Sequence, residues 1–241
     1  MTRYCVLAAL RNVRAFVPTY RRTIEQFEQP PSRVILLEND SRDGTAAALH
    51  AWSPGPTWWS EATGQPYFPR LATADRAAHL AAVRNKVIVH ALAYDDWEYA
   101  LFLDAQKYLP ARGPTLLLEA GGDIVAPHVA VPGGPFYDTW CFRHLDGRPF
   151  EEIADGRPHF ATGGGLTEVQ SVGGVYMVRR AVLEAGVRLA GTDGHGCDSV
   201  PFCAQARALG FRVWVHWGLQ AVHAPTAKQC AWYQSLREPV W

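Results

Sequence analysis

Apolar runs that stop at a charged residue recur along the first half of the chain. Tyr4–Leu10 runs into Arg11, Val34–Leu37 into Glu38-Asn39-Asp40-Ser41, and Tyr99–Leu103 into Asp104-Ala105-Gln106. Apolar runs without alternation suit strands buried on both faces, as in a parallel sheet under helices. Helical stretches separate them. One is expected over roughly 19–29, closed by Pro30-Pro31, and a short one over 46–50 with Ser41 or Asp43 as its cap. A long one is expected over roughly 74–94. Such alternation implies right-handed βαβ units and a Rossmann-like half. Ligands of such sheets bind beyond the carboxyl ends of the strands, so these three ends mark the expected active edge.

The second half is less regular. Residues 53–72 and 121–135 are rich in turn formers and read as loops, and 144–169 as a mobile loop. A strand over 171–178 enters a helix at 179–185. A glycine-rich loop, Gly191–Asp198, opens a helix to about Leu209. A strand over 211–217 follows, with His223 after it. There is no internal repeat and no low-complexity tract.

Length and composition restrict the function classes. The 241 residues fit one domain, and the 48% hydrophobic content supplies a sizeable core. Formal net charge is zero, which argues against nucleic acid or a membrane surface as an electrostatically held partner. No apolar run approaches the roughly 18 residues of a transmembrane helix. Five cysteines without paired CxxC spacing read as reduced thiols, and with no secretory pattern this gives a cytoplasmic expectation. Nine tryptophans, several in loop-like segments, suit a site that stacks rings.

Individual residues then acquire candidate roles. Asp104, at a buried strand end, can hold a metal or a ribose hydroxyl, or simply terminate the strand. Glu38–Thr45 stacks acceptors and backbone donors at a strand-to-helix turn and suits a nucleoside. It is neither a GxGxxG motif nor a P-loop. Arg84 falls within the stripe of Leu80, Val83, Val87 and Ala91, so it points at the sheet and needs an anion, either a phosphate or Asp104. An internal ion pair is the structural alternative. Asn85 would support the same pocket. Asp198 opens a helix and reads equally as a general base or as an ordinary N-cap. His223 would complete a metal site or be structural.

The order of these motifs resembles a GT-A glycosyltransferase. It comprises an N-terminal strand, an ENDSxDGT segment (38–45), Arg84-Asn85 in a helix, a DxD-like Asp104-Ala105-Gln106, a Gly173-Gly174 turn, a late Asp198 and a terminal His223. The pattern is most similar to fungal-type mannosyltransferases of the Anp1 and capsule-associated (Cap59-like) groups, and to family 2-like enzymes. Tyr137-Asp138-Thr139-Trp140-Cys141-Phe142-Arg143 resembles a segment of the capsule-associated group. The resemblance implies an α/β GT-A domain over 1–241, with a nucleotide-sugar-binding half (1–110) and an acceptor-binding half (111–241). It implies transfer of a sugar from a nucleotide-diphosphate sugar to a hydroxyl of a glycan, lipid or small molecule. Donor contacts would come from Leu10, Arg11, Glu38, Asp40, Ser41, Arg84, Asp104 and Lys107. Asp138, Trp140, Gly173 and Gly174 would meet the acceptor. Asp198 and Asp104 would be catalytic. Asp104, Gln106 and His223 would face a divalent cation, Mn²⁺ or Mg²⁺. Gln106 stands where the family has a carboxylate and is a weaker ligand, which counts against metal dependence.

Two other readings remain at this point. A sugar nucleotidyltransferase would carry a glycine-rich loop after the first strand, whereas Ala8–Arg14 has no glycine. A non-catalytic sugar-nucleotide binder would account for the altered DxD.

Overall fold

The computed structural model describes residues 2–52, 54–66, 68, 73–132, 136–139, 141–150, 165–191 and 197–230. One mixed sheet runs through both halves of the chain. β1 (Tyr4–Leu10) is flanked in parallel by β2 (Arg33–Asn39) and β4 (Tyr99–Leu103), and β3 (Thr57–Glu61) extends the sheet beyond β2. β8 (Val175–Arg179) lies antiparallel between β4 and β6 (Ile124–Ala130). β9 (Val213–His223) runs parallel to β6 and carries β5 (Lys107–Tyr108) and β7 (Leu166–Glu168). The strand order is β3-β2-β1-β4-β8-β6-β9-β5.

The continuous apolar runs sit where their composition requires. Tyr4, Val6, Ile35, Leu36, Leu37, Leu101 and Leu103 are all at most 1% exposed. α3 (Ala74–Leu92) covers β1 and β2 with Ala77, Ala81, Val83, Val87, Ile88 and Ala91. Thr73 caps it by accepting from the Arg76 N–H. Leu80, assigned to the same stripe, is only partly buried and turns to the site.

Several expectations are corrected. α1 spans Val17–Glu25, because Pro18 is favoured in a first turn, and it stops four residues before the expected end. α2 (Thr45–His50) begins after Gly44 at φ 87°, and neither Ser41 nor Asp43 is its N-cap. The Asp43 carboxylate still accepts from Thr45 N–H at 3.0 Å. The 53–72 loop contains β3, and the 121–135 loop contains β6. Pro127 masks β6 in the sequence, and it sits where the ladder with β9 slips between Pro127 and His128, as a proline inside a sheet must. α4 (Gly113–Glu119), β5 and β7 were not expected. α5 spans Arg180–Glu184 and α6 Ser199–Ala208, while β9 continues through His223. Of the 144–169 stretch, 151–164 lie outside the described residues.

Cys141 and Cys197 form a disulfide across 56 residues of sequence, which corrects the reading of five reduced thiols. Their partnership comes from the fold, since no local spacing announces it. Cys5, Cys203 and Cys230 are free and buried. The cytoplasmic expectation loses that part of its footing. Among the described residues, no helix is long and apolar enough to cross a membrane.

Candidate functional site

The carboxyl ends of β2, β1 and β4 lie side by side, so the turns after them face one edge. These turns are laced together. Ser41 Oγ accepts from Asn12 N–H at 2.9 Å, and Asn12 Oδ1 accepts from Arg42 N–H at 2.8 Å. Asn12 and Asp40 take left-handed backbones, φ 52° and 50°, which Asn and Asp tolerate best after Gly. Tyr20 donates to the Leu103 carbonyl at 2.9 Å and pins the strand end just before Asp104.

Two adjoining cavities open on this edge. The first, about 240 Å³, is lined by Asn39, Phe68 and His79 together with the β1 turn. Asn39 Nδ2 lies 3.2 Å from His79 Nε2, and the Phe68 ring lies 5.8 Å from that imidazole. Burial and the Arg11 charge lower the His79 pKa, so the ring is neutral near pH 7. Arg11 lines this cavity, but its guanidinium donates to the carbonyls of Gln65 and Pro66 at 2.7 and 3.1 Å.

The second cavity, about 270 Å³, contains the charge cluster. Arg84 divides its fork between two carboxylates. Nη2 donates to Asp104 at 2.5 Å, while Nη1 donates to both Asp198 oxygens at 2.9 and 3.0 Å. Lys107 Nζ lies 3.4 Å from Asp104 and 4.0 Å from Asp138. Burial raises the Asp104 pKa, but Arg84 and Lys107 outweigh it and hold the carboxyl at about 2. The buried Asp138 carboxyl is pushed above its usual range, with Lys107 only partly opposing. Burial disfavours charge on Arg84, yet Asp104 and Asp198 more than compensate and raise its pKa.

Gly174 makes this packing possible. A Cβ there would overlap Lys107 Nζ and lie 2.8 Å from Asp138 Oδ2, and its φ of 73° favours glycine independently. Gly173 packs against Cys141 and does not line the cavity. The disulfide forms part of the cavity wall, tying the segment after Asp138 to the residue before Asp198.

The structure sorts the sequence candidates. Asp104, Lys107, Arg84, Asp138, Asp198, Gln106, Gly174 and His223 converge on the second cavity. Arg84 makes the internal ion pair, with Asp198 as a second partner the sequence did not suggest. Asp198 is not an ordinary cap, because its side chain makes no capping bond and turns to Arg84 instead. Leu10 is core at 1% exposure, since its side chain faces the sheet packing rather than the edge. Glu38, Asp40 and Ser41 line neither cavity and serve to build its walls. Glu38 accepts from Ser41 N–H and Ser60 Oγ, and Asp40 from Thr63 and Gly64. Asn85 clamps the backbone of Leu189 from both sides and is not a pocket residue. No tryptophan among the described residues lines either cavity, and Trp52 and Trp97 are core. Trp140 lies outside the described residues.

Sequence reasoning missed Asn39, Arg76 and His79. Asn39 lay inside the ENDS segment. Arg76, Leu80 and Arg84 recur every four residues of α3, so the reasoning that singled out Arg84 also reaches Arg76.

The donor set suits a divalent cation poorly. Asp104, the one anionic member, has its oxygens engaged by Arg84 and Lys107, and Gln106 is neutral, with Nε2 3.4 Å from the Pro225 carbonyl. His223 is neutral, its pKa pushed to about 3 by burial and by Lys107, and its buried Nδ1 has no hydrogen-bond partner among the described residues. It pairs with Lys107 across β9 and β5, so a cation beside it would meet the ammonium. Among the described residues, no group of three or more His, Cys, Asp or Glu side chains is arranged to hold a metal.

No family model matches the sequence, and no curated protein matches it. Solved structures do match. Residues 1–349 of S. aureus TarS in complex with UDP-GlcNAc superpose with a TM-score of 0.54 at 10% identity, over 93% of this chain and 57% of that one. The Pyrobaculum calidifontis mannosyltransferase PcManGT, in complex with GDP-Man and Mn²⁺, superposes with a TM-score of 0.58 at 17% identity, over 95% of this chain and 59% of that one. This chain therefore spans less than two thirds of either. The likeness establishes the fold: a large mixed sheet flanked by helices, of the GT-A type.

Proposed function

We propose that the protein transfers a sugar from a nucleotide-diphosphate sugar to an acceptor hydroxyl. The observation that carries this reading is the pair of adjoining cavities at the carboxyl edge of β1, β2 and β4. One is walled by an amide, an imidazole and a ring, and the other by a carboxylate–cation cluster. The first suits a nucleobase and the second a reacting glycosyl centre. The nucleotide complexes of the two matched structures support the same ligand class. Residues 1–110 then act mainly on the donor and 111–241 on the acceptor. The Tyr137–Arg143 segment, which resembles one of the capsule-associated group, favours a mannosyl donor.

The transfer breaks the bond between the anomeric carbon and the β-phosphate oxygen, and the electron pair leaves with the phosphate. The acceptor oxygen bonds to the anomeric carbon, and its proton must go to a base. Asp138 suits that role better than Asp198. Burial raises its pKa, which favours uptake of a proton, and it lies on the cavity wall. Asp198 has both oxygens committed to Arg84, and it positions that guanidinium. Arg84 in turn fixes Asp104 at the strand end.

The test is release of nucleoside diphosphate from UDP, GDP, CDP and dTDP sugars by purified protein, with and without Mn²⁺, alongside a thermal-shift screen of the same ligands. Turnover that drops about 10²-fold in Asp138→Asn supports the assignment. No stabilisation and no turnover with any donor would refute the reading. Stabilisation without turnover would favour a binding protein, for which the self-satisfied Arg84–Asp104–Asp198 network is the favouring observation.

A further inference from the structure

An aromatic floor lies beneath the charge cluster. Phe102 of β4 pairs with Tyr176 of β8. Two positions nearer the cavity stand Asp104 and Gly174, as the two-residue period of strands requires of one face. Phe202 lies one turn into α6 from Asp198. The three rings pack together, with the Tyr176 centroid 4.9 Å from Phe102 and 6.0 Å from Phe202. Tyr176 alone of the three carries a hydroxyl. It is buried, and its oxygen has no hydrogen-bond partner among the described residues. The charges of Arg84, Asp198 and Asp104 all act on this phenol, and it acts on Arg84 in return. A buried hydroxyl without a partner is destabilising, so a phenol kept beside three charges calls for a partner in another state of the site.

Asp198 has the chemistry of that partner. It is buried, and both its oxygens accept from Arg84 Nη1. Arg84 also lines the second cavity, so phosphates entering there compete with Asp104 and Asp198 for its fork. Asp104 is partly exposed and retains Lys107. Asp198 has no such reserve, and losing an Nη1 bond would leave a buried carboxylate oxygen bare. Resting on the donor reading above, we infer that Tyr176 is a positioning residue of the transfer site, whose phenol donates to Asp198 when the donor diphosphate draws on Arg84. No charge leaves the cluster in this exchange. Arg84 stays beside Asp198 while one of its hydrogen bonds passes to the phenol. The guanidinium thereby gains a donor for phosphate, and Asp198 keeps its place.

Calorimetry with UDP, GDP, CDP, dTDP and their nucleosides tests this on the wild type, Tyr176→Phe, Asp198→Asn and the double variant. The wild type is expected to bind at least one diphosphate more tightly than its nucleoside. Tyr176→Phe should weaken that diphosphate by about tenfold or more, the worth of a hydrogen bond to a charged group made only in the bound state. Nucleoside affinity should stay within about twofold, because a nucleoside brings no phosphate to Arg84. The melting temperature of ligand-free Tyr176→Phe should match or exceed that of the wild type, since the change removes an unpaired hydroxyl and keeps the ring. A merely structural phenol would not give that combination. In the Asp198→Asn background the effect of Tyr176→Phe on the diphosphate should fall below about threefold, because the charged acceptor is gone. Tyr176→Leu, which also lacks the hydroxyl, gives the same affinity readout should the Phe variant not fold. If the wild type binds none of the four diphosphates, the donor reading falls and the Tyr176 assignment with it. If it binds one, the Tyr176 assignment alone is overturned by any of four results: a loss under about threefold in Tyr176→Phe, an equal loss of nucleoside affinity, a lower ligand-free melting temperature, or an undiminished loss in the Asp198→Asn background.

Discussion

Replacing Arg84 by leucine tests whether the charge cluster holds the fold as well as the site. From helix periodicity alone a leucine would fit the apolar stripe of α3 at little cost. The partners of Arg84 argue otherwise. Asp198 has a side chain only 4% exposed, and both its oxygens would lose Arg84 Nη1. Asp104 would lose its 2.5 Å bond, but its side chain is 31% exposed and it keeps Lys107 at 3.4 Å, so it adds less. A buried carboxylate stripped of its partner costs about 3–5 kcal/mol. For a chain of this size that is a fall of roughly 6–20 °C in melting temperature. Denaturant unfolding of wild type, Arg84→Leu, Asp198→Leu and the double variant forms a cycle. The double variant should recover most of the loss, because it leaves no orphaned charge. A loss under about 1 kcal/mol, or strictly additive single effects, would refute the clamp as a structural element.

Gly174→Ala should lower turnover by displacing Lys107 or Asp138 and should also cost about 1–3 kcal/mol through its left-handed backbone, whereas unchanged kinetics and melting would show that the overlap is relieved cheaply. Reducing the disulfide, or replacing Cys141 and Cys197 together by serine, should remove about 2–4 kcal/mol of stability and loosen donor binding, because the bridge closes 56 residues and walls the second cavity; unchanged melting in reductant would argue against it. His223 has its pKa lowered to about 3, so the unfolded chain binds a proton there first, and stability falls as pH drops from about 6.5 toward 3, by at most about 1.4 kcal/mol per pH unit. His223→Gln should flatten the melting-temperature profile between pH 6.5 and 4.5, and an unchanged profile would place that acid sensitivity elsewhere.

The sequence by itself determined the frame of the first half of the sheet. β1, β2 and β4 were legible because strands buried on both faces must be apolar throughout, and their polar ends had to reach one edge once they paired in parallel. Arg84 was legible because helical periodicity leaves it on the sheet-facing side. The GT-A fold followed from the order of such signals rather than from any one of them. β6 and β3 were not legible, because Pro127 and the flanking glycines and prolines carry turn chemistry that only ladder pairing overrides. Only the tertiary structure decided which charges meet. Asp198 lies 114 residues from Arg84, Lys107 finds Asp138 through a glycine that leaves room, and Cys141 finds Cys197 across 56 residues. Local propensity acts over a few residues. Charge pairing, cavity walls and cross-links act through space, so they exist only once the sheet has brought distant segments to one edge.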